Sequence, residues 1–344
     1  MVDPIPRRSH PEAVPSRLDD LMRDAPDAGP PFTFGIQPLT YGLTWSEGLA
    51  AAGLVDRLGY DYLWGHDHLY STGSDPFQPF FEGWTTLAAW AALTTQVRVG
   101  LLVGANPFRN PGVVAKMAAT IDHVSQGRFV LGLGAGNRED EAIAHGIDPG
   151  RSVGQRLDWL DESLAIVRGL LDGATVSHDS ERYRFDAVRH APRPVQAHTP
   201  VVVGASGERK GLRIVARHAD IWQIWLGPDE VEVFRAKDLV LTEHCRAIGR
   251  DPGTIQRVVG GKLVIRADAD EAQRVFDGEV RVHGWSGAML STTWTGTARD
   301  IAERILAYRA LGVNGFSASV AAPLDLETIE RLATEVRPMV EAAG

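Results

Sequence analysis

The chain has 344 residues, 44% hydrophobic and 23% charged, which is enough apolar material for a sizeable core. A formal net charge of −9 argues against a general nucleic-acid binder, since neutralising phosphates needs a basic face, although a local pocket can stay positive. The single cysteine, Cys245, excludes a disulfide framework and any multi-cysteine metal site, and makes a reducing cytoplasm the default location.

Residues 1–31 are rich in Pro, Asp, Arg and Ser, lack apolar periodicity and read as a flexible arm. Arg7 and Arg8 are followed by no apolar stretch, so a twin-arginine signal is not expected. No run approaches eighteen apolar residues, so no membrane-spanning helix is expected either. From residue 32 onward, short apolar runs alternate with helical patterns, the signature of a parallel sheet covered by helices.

The first strand is predicted at residues 32–37. A helix follows, capped by Thr44 or Ser46, with Trp45, Leu49, Ala52 and Val55 on one face and Gly59 at its end. The second strand, 60–64, leads into His66, Asp67 and His68. A helix over 82–93 precedes the third strand, 97–103. Pro111 suits the first turn of a helix bearing Val114, Met117, Ile121 and Val124. The fourth strand, 128–133, runs into Gly134, Ala135, Gly136 and Asn137, and a strong helix then carries Leu157, Leu160, Leu164, Val167 and Leu171. Residues 172–199 form a long connection with a short hairpin near Tyr183 and Phe185. The fifth and sixth strands are predicted at 200–203 and 220–224, with helices over 212–216 and 229–248. The seventh strand, 258–265, is followed by an insertion over 268–295 holding Trp285 and Trp294. A helix with Ile301, Ile305 and Leu311, a strand at 313–317 and a helix with Leu326, Ile329, Ala333, Val336 and Val340 close the chain. Eight strand–helix units point to an α/β fold, a (β/α)8 TIM barrel with insertions in one domain over 32–344; two doubly wound halves also fit the alternation.

Barrel active sites lie at the C-terminal ends of the strands, so those ends are read together. At the second, either histidine can act as acid or base near neutral pH, and Asp67 can orient His68 or bind a ligand hydroxyl. His66 and His68 also suit zinc, but a metal-dependent hydrolase needs further ligands at later strand ends, where only Gly-Ala-Ser-Gly, Trp-Gln-Ile-Trp and Ser-Ala-Ser stand. No metal site is therefore expected. Gly134 and Gly136 permit close approach of a ligand to the backbone, and Asn137 and Arg138 follow them. Gly204, Ala205, Ser206 and Gly207, with Arg209 and Lys210, place small residues, a hydroxyl and two cations at a helix start, a set that can hold a phosphate. Asn106 follows the third strand. Trp64, Phe108, Trp222 and Trp225 are candidates for an aromatic substrate pocket, core packing being the alternative for each.

As a set these residues resemble the luciferase-like monooxygenase superfamily, and within it the deazaflavin-using actinobacterial branch. The similar text includes residues 63–68, 99–103 and 109–111, Lys116, 118–123, 127–136, Arg156-Leu157, 200–207, Leu212 and 216–220, and spans about 32–250. The resemblance implies coenzyme F420, or FMN as the alternative, bound at the strand C-termini. It matches Asp67 and His68 to a pair that touches the cofactor ring, and Ser206 and Gly207 to a phosphate-binding turn. It also implies a strand-three bulge with a non-proline cis peptide at Leu101-Leu102 or a neighbouring bond. Two departures stand out. The glutamate that serves as acid in the family's sugar-phosphate dehydrogenases maps onto Asn137, and their tryptophan four residues beyond the histidine maps near Thr72. Asn137 cannot exchange a proton as a carboxylic acid does, so a sugar-phosphate substrate is disfavoured and the proton donor is left open. The reading is an F420-dependent oxidoreductase passing a hydride between the deazaflavin and a small organic substrate, with His68 handling the proton. An FMN-dependent monooxygenase with a separate reductase is the same-fold alternative, and a homodimer is the implied assembly.

Overall fold

The computed structural model describes residues 31–343; all but the last residue of the expected N-terminal arm lies outside that range. Its strands are β1 Thr33–Pro38, β2 Tyr62–Gly65, β3 Arg98–Leu101, β4 Gly104–Ala105, β5 Phe129–Gly134, β6 Val176–Asp179, β7 Arg184–Val188, β8 Val201–Gly204, β9 Ile221–Trp225, β10 Gln256–Ile265, β11 Thr293–Gly296 and β12 Gly315–Val320. Eight of these, β1, β2, β3, β5, β8, β9, β10 and β12, pair in parallel and close on themselves through β12 and β1. The (β/α)8 barrel expected from the alternation is therefore formed. The hairpin lies at β6–β7, which pair antiparallel.

The covering helices are α1 Trp45–Arg57, α2 Gly83–Leu93, α3 Pro111–Val124, α4 Glu139–Ala144, α5 Val153–Leu171, α6 Gly211–His218, α7 Val231–Ala247, α8 Ala269–His283, α9 Ala288–Ser291 and α10 Ala298–Arg309, with Leu326–Arg331 and Arg337–Ala342 closing the ring. Thr44, not Ser46, caps α1: it accepts from Glu47 N, and the Glu47 carboxylate answers the Thr44 backbone N–H. Asn110 caps α3 ahead of Pro111. Five elements have no counterpart in the sequence reading: β4, α4, the helices α8 and α9 within the segment read as an insertion, and β11. The last removes Trp294 from the insertion. It is fully buried, and its indole donates to Leu226 O at 2.8 Å.

Strand side chains alternate between two cores. Phe34, Ile36, Leu63, Val99, Leu131, Val203, Trp222, Val259 and Phe316 point outward into the helix layer, in one continuous cluster. Tyr62, Trp64, Leu102, Val130, Val202, Ile221 and Val258 fill the barrel interior as a separate cluster. Each such side chain, when fully buried, contributes about 1.5–3 kcal/mol. The interior plug confines solvent, and any ligand, to the mouth. Glycine is obligatory at one wall position: a Cβ on Gly132 would stand 1.7 Å from Leu101 O.

Candidate active site

The strand C-termini gather polar groups around the mouth. Asp67 follows β2, is 3% exposed and accepts from Ala105 N at 2.8 Å and from Arg109 Nη1 at 2.7 Å. The other arm of Arg109 reaches Glu82 at 2.5 Å, and Glu82 caps α2 through Trp84 N and Thr85 N. Asp67 thus pins the chain just past β3. Between β3 and β4 the backbone bulges, and a cis peptide joins Leu102 to Val103, one bond beyond the pair named from the sequence. Gln37 Nε2 donates to Leu102 O at 2.8 Å, fixing the bulge carbonyl from across the mouth. The Val103 side chain fills a notch cut by two glycines: a Cβ on Gly134 would sit 2.5 Å from Val103 Cγ2, and one on Gly204 3.4 Å.

His68 is not oriented by Asp67, whose near oxygen is committed to Ala105 and Arg109. Its partner is Glu141 on α4: His68 Nδ1 stands 2.7 Å from Glu141 Oε1, while Oε2 accepts from Leu69 N at 2.9 Å and Tyr70 N at 3.1 Å. Glu141 is 1% exposed. Burial works to raise its carboxyl, but the His68 ring and the two N–H groups outweigh burial and hold it below the usual carboxylate range. An ionised Glu141 accepts a hydrogen bond from His68 Nδ1–H, which leaves Nε2 as the ring nitrogen with a free lone pair. His66 is different. Burial, with His68 and Lys262 nearby, lowers it to about 3, so it is neutral, and its Nδ1 has no partner.

Of the other residues predicted for a ligand, Gly136 holds a positive φ of 75°, and Asn137 beside it is exposed. Arg138 is tied to Asp140 by two bonds of 2.8 and 2.7 Å, so its charge is spent locally. Asn106 is buried and donates to Tyr183 O–H at 3.2 Å, with its Oδ1 unpartnered. Ser206, Gly207 and Arg209 lie exposed on the turn before α6. Lys237 braces that turn by donating to Ser206 O at 2.8 Å. Lys210 is paired with Asp158 at 2.7 Å, leaving it a bystander. Val103, in contact range of both Gly134 and Gly204, links the β2–β3 side of the mouth to the β8 turn.

The aromatic pocket needs correction at two positions. Trp222 faces outward because strand parity sends it there. It stacks on Phe234 of α7 at 5.6 Å, donates to Ala205 O and is fully buried. Trp64 does point into the barrel, but as part of the plug, stacked on Tyr62 at 4.8 Å and bonded to Ser317 Oγ at 3.1 Å. Trp225 is half-buried on the inward face of β9. Phe108 lines a side cavity of about 260 Å³ with Arg109, Arg182 and Tyr183.

The sequence reading missed Glu141, Gln37, Gln223 and Lys262. Gln37, Gln223 and Lys262 carried a usable signal, since each is polar at an inward strand position near a strand end. Glu141 carried none, because only the fold brings α4 against the segment after β2. Gln223 is 3% exposed and its Nε2 has no partner. A buried amide without a partner calls for a ligand or water. With His66 Nδ1 also unpartnered, the mouth offers hydrogen-bonding groups over an apolar floor, a donor set that fits the polar edge of a flavin or deazaflavin ring. Among the described residues no three His, Cys, Asp or Glu side chains are placed to hold a metal ion, and no helix is long and apolar enough to cross a membrane.

A closed parallel barrel with helices outside and its polar groups at the strand C-termini is the architecture of a (β/α)8 enzyme. The luciferase-like monooxygenase model matches residues 31–315, and the chain belongs to that family of oxidoreductases. An uncharacterized protein of Mycobacterium tuberculosis is 35% identical over 53% of this chain and 62% of its own length, so the match spans under two thirds of that relative. The F420-dependent hydroxymycolic acid dehydrogenase of Mycobacterium tuberculosis is 27% identical over 60% of this chain and 56% of its own. Pyrimidine monooxygenase RutA of Rhizobium rhizogenes is 27% identical over 84% of this chain and 80% of its own. Among solved structures, an F420-dependent secondary alcohol dehydrogenase in complex with an F420-acetone adduct superposes with a TM-score of 0.76 at 19% identity, covering 90% of this chain and 99% of that one.

Proposed function

We propose that the chain is a coenzyme F420-dependent oxidoreductase acting on a small organic substrate. One observation carries this reading. The bulge between β3 and β4, held by Gln37 and braced by Asp67, sends Val103 into a glycine-cleared notch beside the unpartnered Gln223 amide. The bulge would back one face of a planar ring, and Gln223 would meet its polar edge. The exposed turn of Ser206 and Gly207, with Arg209, would hold the phosphate at the start of α6. When bound, the deazaflavin supplies the hydride chemistry. The protein supplies the proton position: His68 Nε2, fixed by Glu141 on the other ring nitrogen. Glu141 thereby stands in the service of proton handling where Asn137 cannot. The F420-dependent relative supports the deazaflavin over FMN.

The similarity to a pyrimidine monooxygenase over most of the chain keeps an FMN-dependent monooxygenase as the second reading. Titration of the purified full chain with F420 and, separately, FMN, followed by fluorescence quenching or calorimetry, decides between them. F420 is expected to bind with a Kd of about 1 μM or tighter and FMN at least about tenfold more weakly. Tight FMN binding with no F420 binding would overturn the proposal.

A further inference from the structure

Opposite the Leu102–Val103 bulge, the barrel wall carries a cation that the cofactor reading does not use. Lys262 lies on β10 in register with Ser319 of β12, and Ser319 is in register with Gln37 of β1. All three are inward positions of one layer, the layer from which Gln37 reaches Leu102 O. Among the described residues, Lys262 Nζ makes no hydrogen bond and no ion pair; its contact is the Trp285 ring, 4.0 Å from nitrogen to centroid. Trp285 follows α8, is 4% exposed and stacks on His283, which in turn meets Tyr41 edge-on. Tyr41 belongs to the same cluster and is buried; its hydroxyl lies beside the Trp285 side chain and near Glu279, with no acceptor within hydrogen-bond distance.

A buried hydroxyl whose proton has no acceptor, and an ammonium whose neighbouring carboxyl, Glu279, stands beyond ion-pair distance, ask for an acceptor that brings negative charge. We propose that Lys262 and Tyr41 form a subsite for the carboxylate of the substrate, which would be a small monocarboxylic acid with an otherwise apolar body. This deepens the oxidoreductase reading and rests on it for the word substrate. The apolar body follows from the surroundings, where Phe80 packs against the hydrophobic cluster that holds Leu39, Tyr41 and Trp285. The single negative charge follows from the neighbours. Asp325 and Glu279 lie close by, and Arg266 is already committed to Asp325 at 2.9 Å and to Ile265 O at 2.7 Å. A phosphate dianion would meet two carboxyl groups with one free cation. Glu279 on α8 has its carboxyl pushed up to about 7 by burial and by Asp325, against the pull of Lys262 and Arg266, so near neutrality it opposes a monoanion only in part. His66, lowered to about 3, does not compete for the carboxylate as a cation, and burial lowers His283 in the same direction.

The test uses the full chain without cofactor, titrated calorimetrically with acetate, benzoate and phenylacetate and with the matching neutral amides. At least one carboxylate should bind saturably, with its amide about tenfold weaker or more. Lys262→Met should weaken that carboxylate about tenfold or more while leaving the amide and F420 affinities unchanged, and Lys262→Arg should restore most of the loss. Carboxylate affinity should fall as pH rises through about 7, where Glu279 ionises, and again through about 8, where Lys262, lowered by burial, loses its proton. Should Lys262→Met fail to fold, Tyr41→Phe, expected to show a smaller selective loss, takes its place. Equal affinity for acid and amide, an unchanged Lys262→Met, or no carboxylate binding up to about 10 mM would overturn the subsite. Because these titrations contain no F420, they can fail while F420 binding succeeds, and the reverse.

Discussion

Replacing Glu141 with Gln tests the link between α4 and His68 most directly. In the native protein the carboxylate accepts three hydrogen bonds while almost wholly buried, from His68 Nδ1 at 2.7 Å and from Leu69 N and Tyr70 N at 2.9 and 3.1 Å. A glutamine has one acceptor oxygen. Placed toward the two backbone N–H groups, it turns its NH2 on His68 and forces the ring proton from Nδ1 to Nε2. One charge-assisted bond is replaced by a neutral one, and two others lose their charge, so a stability loss of about 1–3 kcal/mol is expected. The sign of the pH dependence follows from the lowered Glu141 pKa. Its contribution is fully present above the unfolded glutamate value of about 4.3 and is lost as pH falls through the lower folded value. The gap between wild type and Glu141→Gln should therefore be wide at neutral pH and close in acid, as read by urea midpoints at unchanged m. With F420 and a turning-over substrate, kcat should drop by about 10²–10⁴, with KM little changed, because the proton would stand on the wrong nitrogen. Identical urea midpoints at neutral pH together with an unaltered pH–rate profile would refute the pairing.

Two further substitutions probe the scaffold. Arg109→Met strands the buried Asp67 carboxylate and should cost about 3–5 kcal/mol, with thermal melting as the readout; a melting point within error of wild type would show that Asp67 does not depend on Arg109. Gly134→Ala drives a methyl group to 2.5 Å from Val103 Cγ2 and must displace the Val103 side chain from its notch. It should destabilise by about 1–3 kcal/mol and weaken F420 binding more than that shift alone explains, whereas unchanged cofactor affinity would remove Val103 from the site.

The barrel was readable because each wall strand is a short apolar run, bounded by turn residues and followed by a helical stripe, and such patterns are local. Of the elements that escaped, β4 with two residues, β11 and α9 with four each and α4 with six are too short to carry a period, whereas α8 with fifteen lies in a segment read only as an insertion. Strand parity was equally local but was not applied: Trp222 and Trp225 differ by three positions, which puts them on opposite faces of β9, one against Phe234 and the other toward the mouth.

The sequence by itself placed Asp67 and His68, and likewise Ser206 and Gly207, at strand ends, because a chain of alternating strands and helices brings every such end to one rim. What each side chain touches there was decided by the closed tertiary structure. Glu141 meets His68 across 73 residues of chain, and Lys262 shares a layer with Gln37 through an intervening strand. Local periodicity reports which face a residue takes. Partners so far apart in the chain are selected by the closure of the barrel, whose register sets which polar groups share a layer.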